Sequence, residues 1–350
     1  MDRRRFIASL TALAAGGCRL CEPSDADRRA SAAAADLALQ AKRGFFDCAV
    51  AGGADGPVAA VSTRGDAVCE DSLFEIASVS KVFTAAICAR LHASGRIDID
   101  RPVHGKATIR DLASHVSGYT DAWMARAGVF GRKWPFASDA DYEAAAMSAP
   151  PTYERGAKCV YSCTNMIVLG FLLERELGMD LDEAARKFVW GPLGMDSTTW
   201  KNVPPDDGRL VTIYTHGPRP LGTKGDENAR NFSRPLGNAG VFASFRDLRA
   251  FASDLLSRRA FEREYYELLF AASFEGGGRR RSFGWNMSRG ALPEGWSASA
   301  ICHSGYTGQY LAVDPVRRAA AIVLTNLKSD DPAVRSASFE GRRRVAALFG

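Results

Sequence analysis

The sequence predicts a mixed chain of α and β structure in which one sheet is built from two separated groups of strands, with a mostly helical stretch inserted between them. Three observations carry this. Short apolar runs of strand character stand near the start of the chain and again near its end, the residues from about 100 to 280 mix helical periodicity with loops rich in Pro and Gly, and no internal repeat relates the parts. Two strand groups parted by one helical stretch are most simply joined into a single sheet. With 350 residues, 46% of them apolar and 24% charged, the chain can bury a large core, and the composition excludes a disordered tail, a collagen-like repeat and a polytopic membrane protein. A net charge of +5 from 45 basic and 40 acidic residues is too slight for the concentrated basic face of a nucleic-acid binder, so no nucleic-acid partner is expected.

The elements follow in chain order. Met1-Asp2-Arg3-Arg4-Arg5 is a basic head, and the apolar run from Phe6 to Ala15 is too short to span a bilayer. Arg3-Arg4 followed by Arg5-Phe6-Ile7 is similar to the twin-arginine export signal, which makes residues 1–17 an address and the mature protein exported. Ala15-Gly16-Gly17 before Cys18 resembles a degenerate lipobox. Cys18 is then either a lipid-bearing residue that tethers the protein to a membrane surface or an unmodified thiol in a periplasmic protein. Residues 18–30, polar and with Pro23, read as a solvated tether, and 32–42 as a first helix. Runs 46–51 and 57–63 around Gly52-Gly53-Ala54-Asp55-Gly56 predict a hairpin. From Ser78 to Ala93 the apolar residues recur at helical spacing until Gly95, which places Ser78 at a helix N-terminus. Helices are expected at 166–177, 181–189 and 245–256. After the Gly276-Gly277-Gly278 break, strands are expected at 282–288, 300–303, 309–314 and 319–325, with a closing helix at 333–349. Eight cysteines show no small-scaffold framework, and five scattered histidines show no metal-ligand spacing. Small buried hydrophobes are expected of the former, and no metal or other cofactor of the chain.

Chemistry concentrates at Ser78-Val79-Ser80-Lys81, where a serine and a lysine three residues apart share one face of a helix. A serine hydroxyl is unreactive at its own pKa, and a lysine serves as its base when desolvation or nearby cations lower the ammonium pKa. The chain has nine lysines and no other Ser-x-x-Lys. An N-cap followed by a solvated lysine is the alternative reading of the same four residues.

The string Phe74-Glu75-Ile76-Ala77-Ser78-Val79-Ser80-Lys81-Val82-Phe83-Thr84-Ala85 resembles the first motif of the serine β-lactamase and penicillin-binding-protein superfamily, in its class C and esterase-like branch. Residues 108–119 (Thr108 to Tyr119, with Ser114-His115-Val116-Ser117-Gly118) are similar to the stretch that follows it there. Tyr161-Ser162-Cys163-Thr164-Asn165 resembles the second motif, and His303-Ser304-Gly305-Tyr306-Thr307-Gly308 the third. Segments 226–230 and 238–244 are similar as well, so the likeness covers about 45–327 in the right order. It implies a β-lactamase/DD-peptidase-like α+β fold over 31–350, an antiparallel sheet flanked by helices with a helical insertion at about 100–280. It also implies roles: Ser78 as acylated nucleophile, Lys81 and Tyr161 sharing the proton transfers, His303 orienting substrate or tuning Tyr161, and the backbone N–H groups of Ser78 and Tyr306 as oxyanion hole, with Gly305 leaving room for substrate.

Cys163 departs from the family pattern, where Asn commonly stands two residues after the tyrosine. A thiol is a poor donor, so an amide substrate would lose a contact worth roughly 1 kcal/mol. Asn165 would need a different helix face, and an inert thiol is expected of Cys163 rather than a nucleophile. Arg279-Arg280-Arg281 reads as a solvated basic loop. No serine carries the Gly-x-Ser-x-Gly flank, and no phosphate-binding loop is present. The expectation is an exported serine hydrolase acting on a small ester or a D-amino-acid-containing cell-wall amide, with weak or no β-lactamase activity. A catalytically silent envelope-binding protein of the same fold and a true β-lactamase are the alternatives.

Overall fold

A computed structural model describes residues 23–63, 67–129 and 133–350. The export signal and Cys18 lie outside the described residues. The chain enters helix α1 (Asp25–Lys42) through a capping box: the Ser24 side chain accepts from Asp27 N–H, and the Asp27 side chain bonds back to the Ser24 backbone. Residues 25–30, expected in the tether, are therefore helical. Their polar side chains face solvent while Ala30, Ala33, Leu37 and Ala41 are buried. Strands β1 (Phe46–Gly53) and β2 (Ala59–Ser62) form the antiparallel hairpin read from the sequence.

Strand β3 (Leu73–Glu75) leads through a 3-10 turn at Ala77–Ser80 into α2 (Lys81–Ala93), which Gly95 ends at φ +72°. The short pair β4 (Pro102–His104) and β5 (Ala107–Thr108) precedes α3 (Ile109–Ala113), α4 (Ala122–Ala127), α5 (Asp139–Ser148), α6 (Cys163–Leu177) and α7 (Leu181–Ala185), the last continuing as a π-helical turn to Trp190. After α8 (Glu227–Asn231), strand β6 (Phe242–Ser244) pairs with β3, and α9 (Phe245–Ser257) packs on the central sheet although its sequence lies within the expected insertion. Then come α10 (Arg263–Phe270) and the hairpin β7 (Ala272–Gly276) and β8 (Arg279–Ser282). The glycine break is the turn of this hairpin, with Gly277 and Gly278 both at positive φ. Residues 283–288, expected as strand, instead bend against α2: a Cβ on Gly284 would lie 2.3 Å from that of Ala85. Strands β9 (Ile301–Ser304), β10 (Tyr310–Asp314) and β11 (Ala319–Leu327) and helix α11 (Pro332–Ala347) complete the chain.

The five-stranded sheet runs β2-β1-β11-β10-β9, antiparallel throughout. Its centre pairs Ala49 with Thr325 and Gly53 with Ala321, so the sheet closes only when the two ends of the chain meet. Side chains alternate between faces at period two. Ala321 and Val323 join α1 and α11 on one side, while Ala320, Ile322 and Leu324 join α2 and α9 on the other. Cys48, Cys88 and Cys302 are buried among these contacts, Cys159 is buried beside Ser114 O, and Cys69 is exposed.

Candidate active site

The site forms where the turn before α2, the start of α6 and the end of β9 converge. Ser78 sits in the 3-10 turn, with the α-helix proper starting at Lys81, a turn later than the sequence reading placed it. Ala77 just before it has φ +46°, a strained conformation for a residue with a Cβ. Glu75 holds that strain from below: its Oε1 accepts from Ala77 N–H and from Gly240 N–H, each at 3.1 Å. Lys81 is fully buried, and its Nζ donates to Ser78 Oγ at 3.0 Å and to the Asn238 carbonyl at 2.7 Å. The loop carrying Asn238 is wedged between α2 and α6, where Thr84 Oγ1 donates to Gly237 O and a Cβ on Gly237 would strike Met166 O.

Tyr161 precedes α6. Asp121 secures that helix start by accepting from Ser162 Oγ at 2.8 Å, Cys163 N–H at 3.1 Å and Thr164 N–H at 2.9 Å. The Tyr161 ring is 37% exposed at the cavity mouth, yet its hydroxyl is turned inward within reach of Lys81 and Ser78, with Lys81 Nζ 5.1 Å from the ring centroid. Burial raises the Tyr161 pKa against the pull of Lys81. For Lys81, burial works to lower the pKa, but the Cys163 thiol and Tyr161 phenol, negative if ionised, raise it overall. The lysine is thus an ammonium and the tyrosine a phenol at neutral pH.

His303, the penultimate residue of β9, is almost fully buried, its ring 6.2 Å from that of Tyr161. Its Nδ1 lies 3.1 Å from Ser304 O and so carries the proton, leaving a buried, unpartnered Nε2. Burial, then Lys81 and Arg281, push its pKa well below the usual imidazole range, and the ring is neutral. Cys163 stays a thiol, its pKa pushed up to about 11 by burial despite Lys81. Asn165 faces elsewhere, as its place on the helix required: its amide meets His115 Nδ1 at 3.1 Å and Ser117 Oγ at 2.5 Å.

A cavity of about 280 Å³ is lined by Ser78, Tyr161, Arg281, His303, Gly305 and Tyr306 among others. Arg281 corrects the solvated-loop reading. Along β8 the side chains turn inward from exposed Arg279 to buried Arg281, whose guanidinium lies 5.7 Å from the Tyr161 ring centroid. Among the described residues it has no ion pair, and its buried Nε has no partner. The amides of Ser78 and Tyr306 have no protein acceptor among the described residues. At Gly305, which lines this cavity, a Cβ would lie 2.3 Å from Gln309 Oε1 and 2.8 Å from Ile76 O, so a glycine also lets β9 close onto the Ser78 turn.

The structure thus brings Ser78, Lys81, Tyr161, Cys163, His303, Gly305 and Tyr306 together. Sequence reasoning left Glu75, Asp121, the Asn238 carbonyl and His115 without roles. Glu75, His115 and Asn238 lay inside motif strings, and their type and position were the available signal. His115 is buried with φ +60°, its ring 4.8 Å from Tyr161.

Several known proteins are similar to this chain. A putative D-alanyl-D-alanine carboxypeptidase of Salmonella typhi is 23% identical over 335 residues, spanning 80% of this chain and 76% of that protein. Among solved structures, the D-alanine carboxypeptidase AmpC of Burkholderia cenocepacia aligns with TM-score 0.71 at 18% identity, over 90% of this chain and 98% of that one. EstCE1, a hydrolase with promiscuous acyltransferase activity, aligns with TM-score 0.72 at 20% identity, over 93% and 100%. A class C β-lactamase aligns with TM-score 0.70 at 16% identity, over 94% and 97%. These likenesses show the fold, and the family model described as Beta-lactamase matches residues 34–343. With that match spanning most of the chain, the protein is a serine hydrolase that belongs to the Beta-lactamase family.

Proposed function

We propose that the chain hydrolyses a small ester or a D-amino-acid-containing amide through an acyl-enzyme on Ser78. The observation that carries this is the buried Lys81 ammonium on Ser78 Oγ at 3.0 Å, with the Tyr161 hydroxyl beside it. In the form of the Lys81–Tyr161 pair that has already lost one proton, Ser78 Oγ bonds to the substrate carbonyl carbon while its own proton passes to that pair. The carbonyl oxygen becomes an oxyanion facing the Ser78 and Tyr306 amides, and the leaving alkoxide or amine takes the proton as its bond to carbon breaks. Water then repeats the sequence on the acyl-enzyme and restores the serine.

The buried Arg281 guanidinium, which has no ion pair among the described residues, supports substrates that carry a carboxylate, because a buried cation gains most from an anion. Cys163 weighs against β-lactams and peptide amides relative to esters. The relatives named as carboxypeptidases and the one named as a hydrolase with promiscuous acyltransferase activity fit an acyl-transferring serine site of this kind. Arg3-Arg4, the short apolar run and Cys18 support export, with a lipid on Cys18 as the tether. Among the described residues no helix is long and apolar enough to cross a membrane.

A time course of nitrophenyl acetate cleavage with intact-mass detection, beside Ser78→Ala, tests the reading. An acetyl adduct and turnover that disappear together in the variant are expected. Equal slow rates without an adduct would reject it and leave a silent binding protein, to be assayed with cell-wall peptides.

A further inference from the structure

Helix α11 places two arginines behind the turn that follows β9, and the catalytic scheme uses neither. Arg342 is 4% exposed and has no ion pair among the described residues. Burial, then Arg335, push its pKa down to about 10, so it is still a cation at neutral pH. Its donors go to backbone carbonyls. Nη1 reaches Gln309 O at 3.2 Å and Gly305 O at 3.4 Å, and Nε reaches Ser338 O at 3.2 Å. Two helical turns earlier, Arg335 lies over the Tyr306 ring at 3.4 Å from its centroid and donates to Tyr306 O at 3.0 Å.

The Gly305 carbonyl and the Tyr306 N–H belong to one planar trans peptide unit, in which they point in opposite directions. Gly305 O is held on the α11 side by Arg342 and also accepts from Gly308 N–H at 3.3 Å. The Tyr306 N–H therefore points away from the Arg342 guanidinium, and Gly305 and Tyr306 line the same cavity as Ser78, to which Arg335 and Phe339 of α11 also contribute. We infer that Arg342 is a positioning residue for oxyanion stabilisation. Its guanidinium fixes the Gly305–Tyr306 peptide plane so that the Tyr306 N–H meets the developing negative oxygen, and its charge polarises that unit into a stronger donor. The inference rests on the proposed oxyanion role of Tyr306.

The test uses the full chain as wild type, Arg342→Met, Arg342→Lys and Ser78→Ala. Nitrophenyl acetate hydrolysis per folded chain, inhibition by phenylboronic acid and thermal melting are measured on each. Phenylboronic acid becomes tetrahedral and anionic when the serine oxygen adds to boron, so its affinity reports the oxyanion environment. Arg342→Met should lower kcat/KM about 10- to 100-fold, part of the loss seen when an oxyanion donor is removed outright, and should weaken phenylboronic acid by a similar factor. Arg342→Lys, which keeps the charge but has fewer donors, should recover part of both. A purely structural role would lower the melting temperature without moving kcat/KM per folded chain and boronate affinity together. A folded Arg342→Met with wild-type kcat/KM and boronate affinity would overturn the inference and leave Ser78 untouched, whereas a fully active Ser78→Ala would overturn the acyl-enzyme reading itself. Failure of both Arg342 variants to fold would assign the residue to the fold and also reject the inference.

Discussion

Around Tyr161 lie the Lys81 ammonium at 5.1 Å, the Arg281 guanidinium at 5.7 Å and the neutral His303 ring at 6.2 Å from its ring. Cations stabilise a phenolate, yet burial outweighs them and the Tyr161 pKa is raised. Because Lys81 also holds its proton tightly, the form able to accept the Ser78 proton is the minority state in which the pair has lost one proton. Turnover should therefore climb as pH rises from neutral toward the alkaline range. Tyr161→Phe should cut kcat/KM by about 10²- to 10⁴-fold and flatten that climb, with little change in melting temperature because the hydroxyl faces a cavity. PH–rate profiles of the two proteins check this, and an unchanged rate or slope in the variant takes Tyr161 out of the mechanism. At Cys163, an asparagine would restore an amide donor worth roughly 1 kcal/mol. Cys163→Asn is expected to raise amide turnover relative to ester turnover about fivefold. No change in that ratio, measured on a D-alanine-ended peptide and nitrophenyl acetate, would show that residue 163 does not meet the substrate.

Among the elements, β3 and β6 do more for the site than their three residues each suggest. Their pairing aligns Glu75 beneath both the strained Ala77 and the loop that brings Asn238 to Lys81. Burial and then Asp226 push the Glu75 pKa up to about 8, against the two backbone donors and Lys224. The unfolded chain releases this proton near pH 4.5 while the folded chain keeps it up to about pH 8. Its contribution to stability is thus complete below pH 4.5 and is lost as pH rises to 8. Glu75→Gln removes the titration while keeping an acceptor for Ala77 and Gly240. Between pH 5 and 8.5 the melting temperature of the wild type should fall by several degrees more than that of the variant. Parallel melting curves across that range would mean that Glu75 does not hold a proton in the fold.

On the scale of the whole molecule, the sheet joins residues nearly three hundred positions apart, and α1 with α11 covers one of its faces. Removing α1 strips Ala33, Leu37 and Ala41 from that face, a loss of a few kcal/mol of apolar burial. A chain beginning at Lys42 should melt at least about 5 °C below one beginning at Pro23, which keeps the Ser24 capping box; equal melting temperatures would show that α1 adds nothing to the core. The local and periodic features were legible in the sequence. The hairpin at Phe46, helix α2, the core of α6 and helix α9 follow from spacing and turn chemistry, and the Ser78–Lys81 contact follows from a three-residue interval on consecutive helical turns. What lay beyond such reading is non-local. Residues 25–30 became helix through a reciprocal cap that polar composition hid. Arg281 turned inward because β8 runs from the exposed turn of a hairpin, which had looked like a break, into the core. Gly305 answers to the approach of Gln309 and the Ile76 carbonyl, and the charges on Lys81 and His303 answer to burial beside each other and Arg281. By itself the sequence determined which residues the site brings together and the order of most elements, since periodicity and short spacings are properties of neighbouring residues. Only the tertiary structure decided their protonation, the close approach of Gly305 to the Ser78 turn and the positive lining of the cavity, because burial and electrostatic fields arise from groups that meet in space.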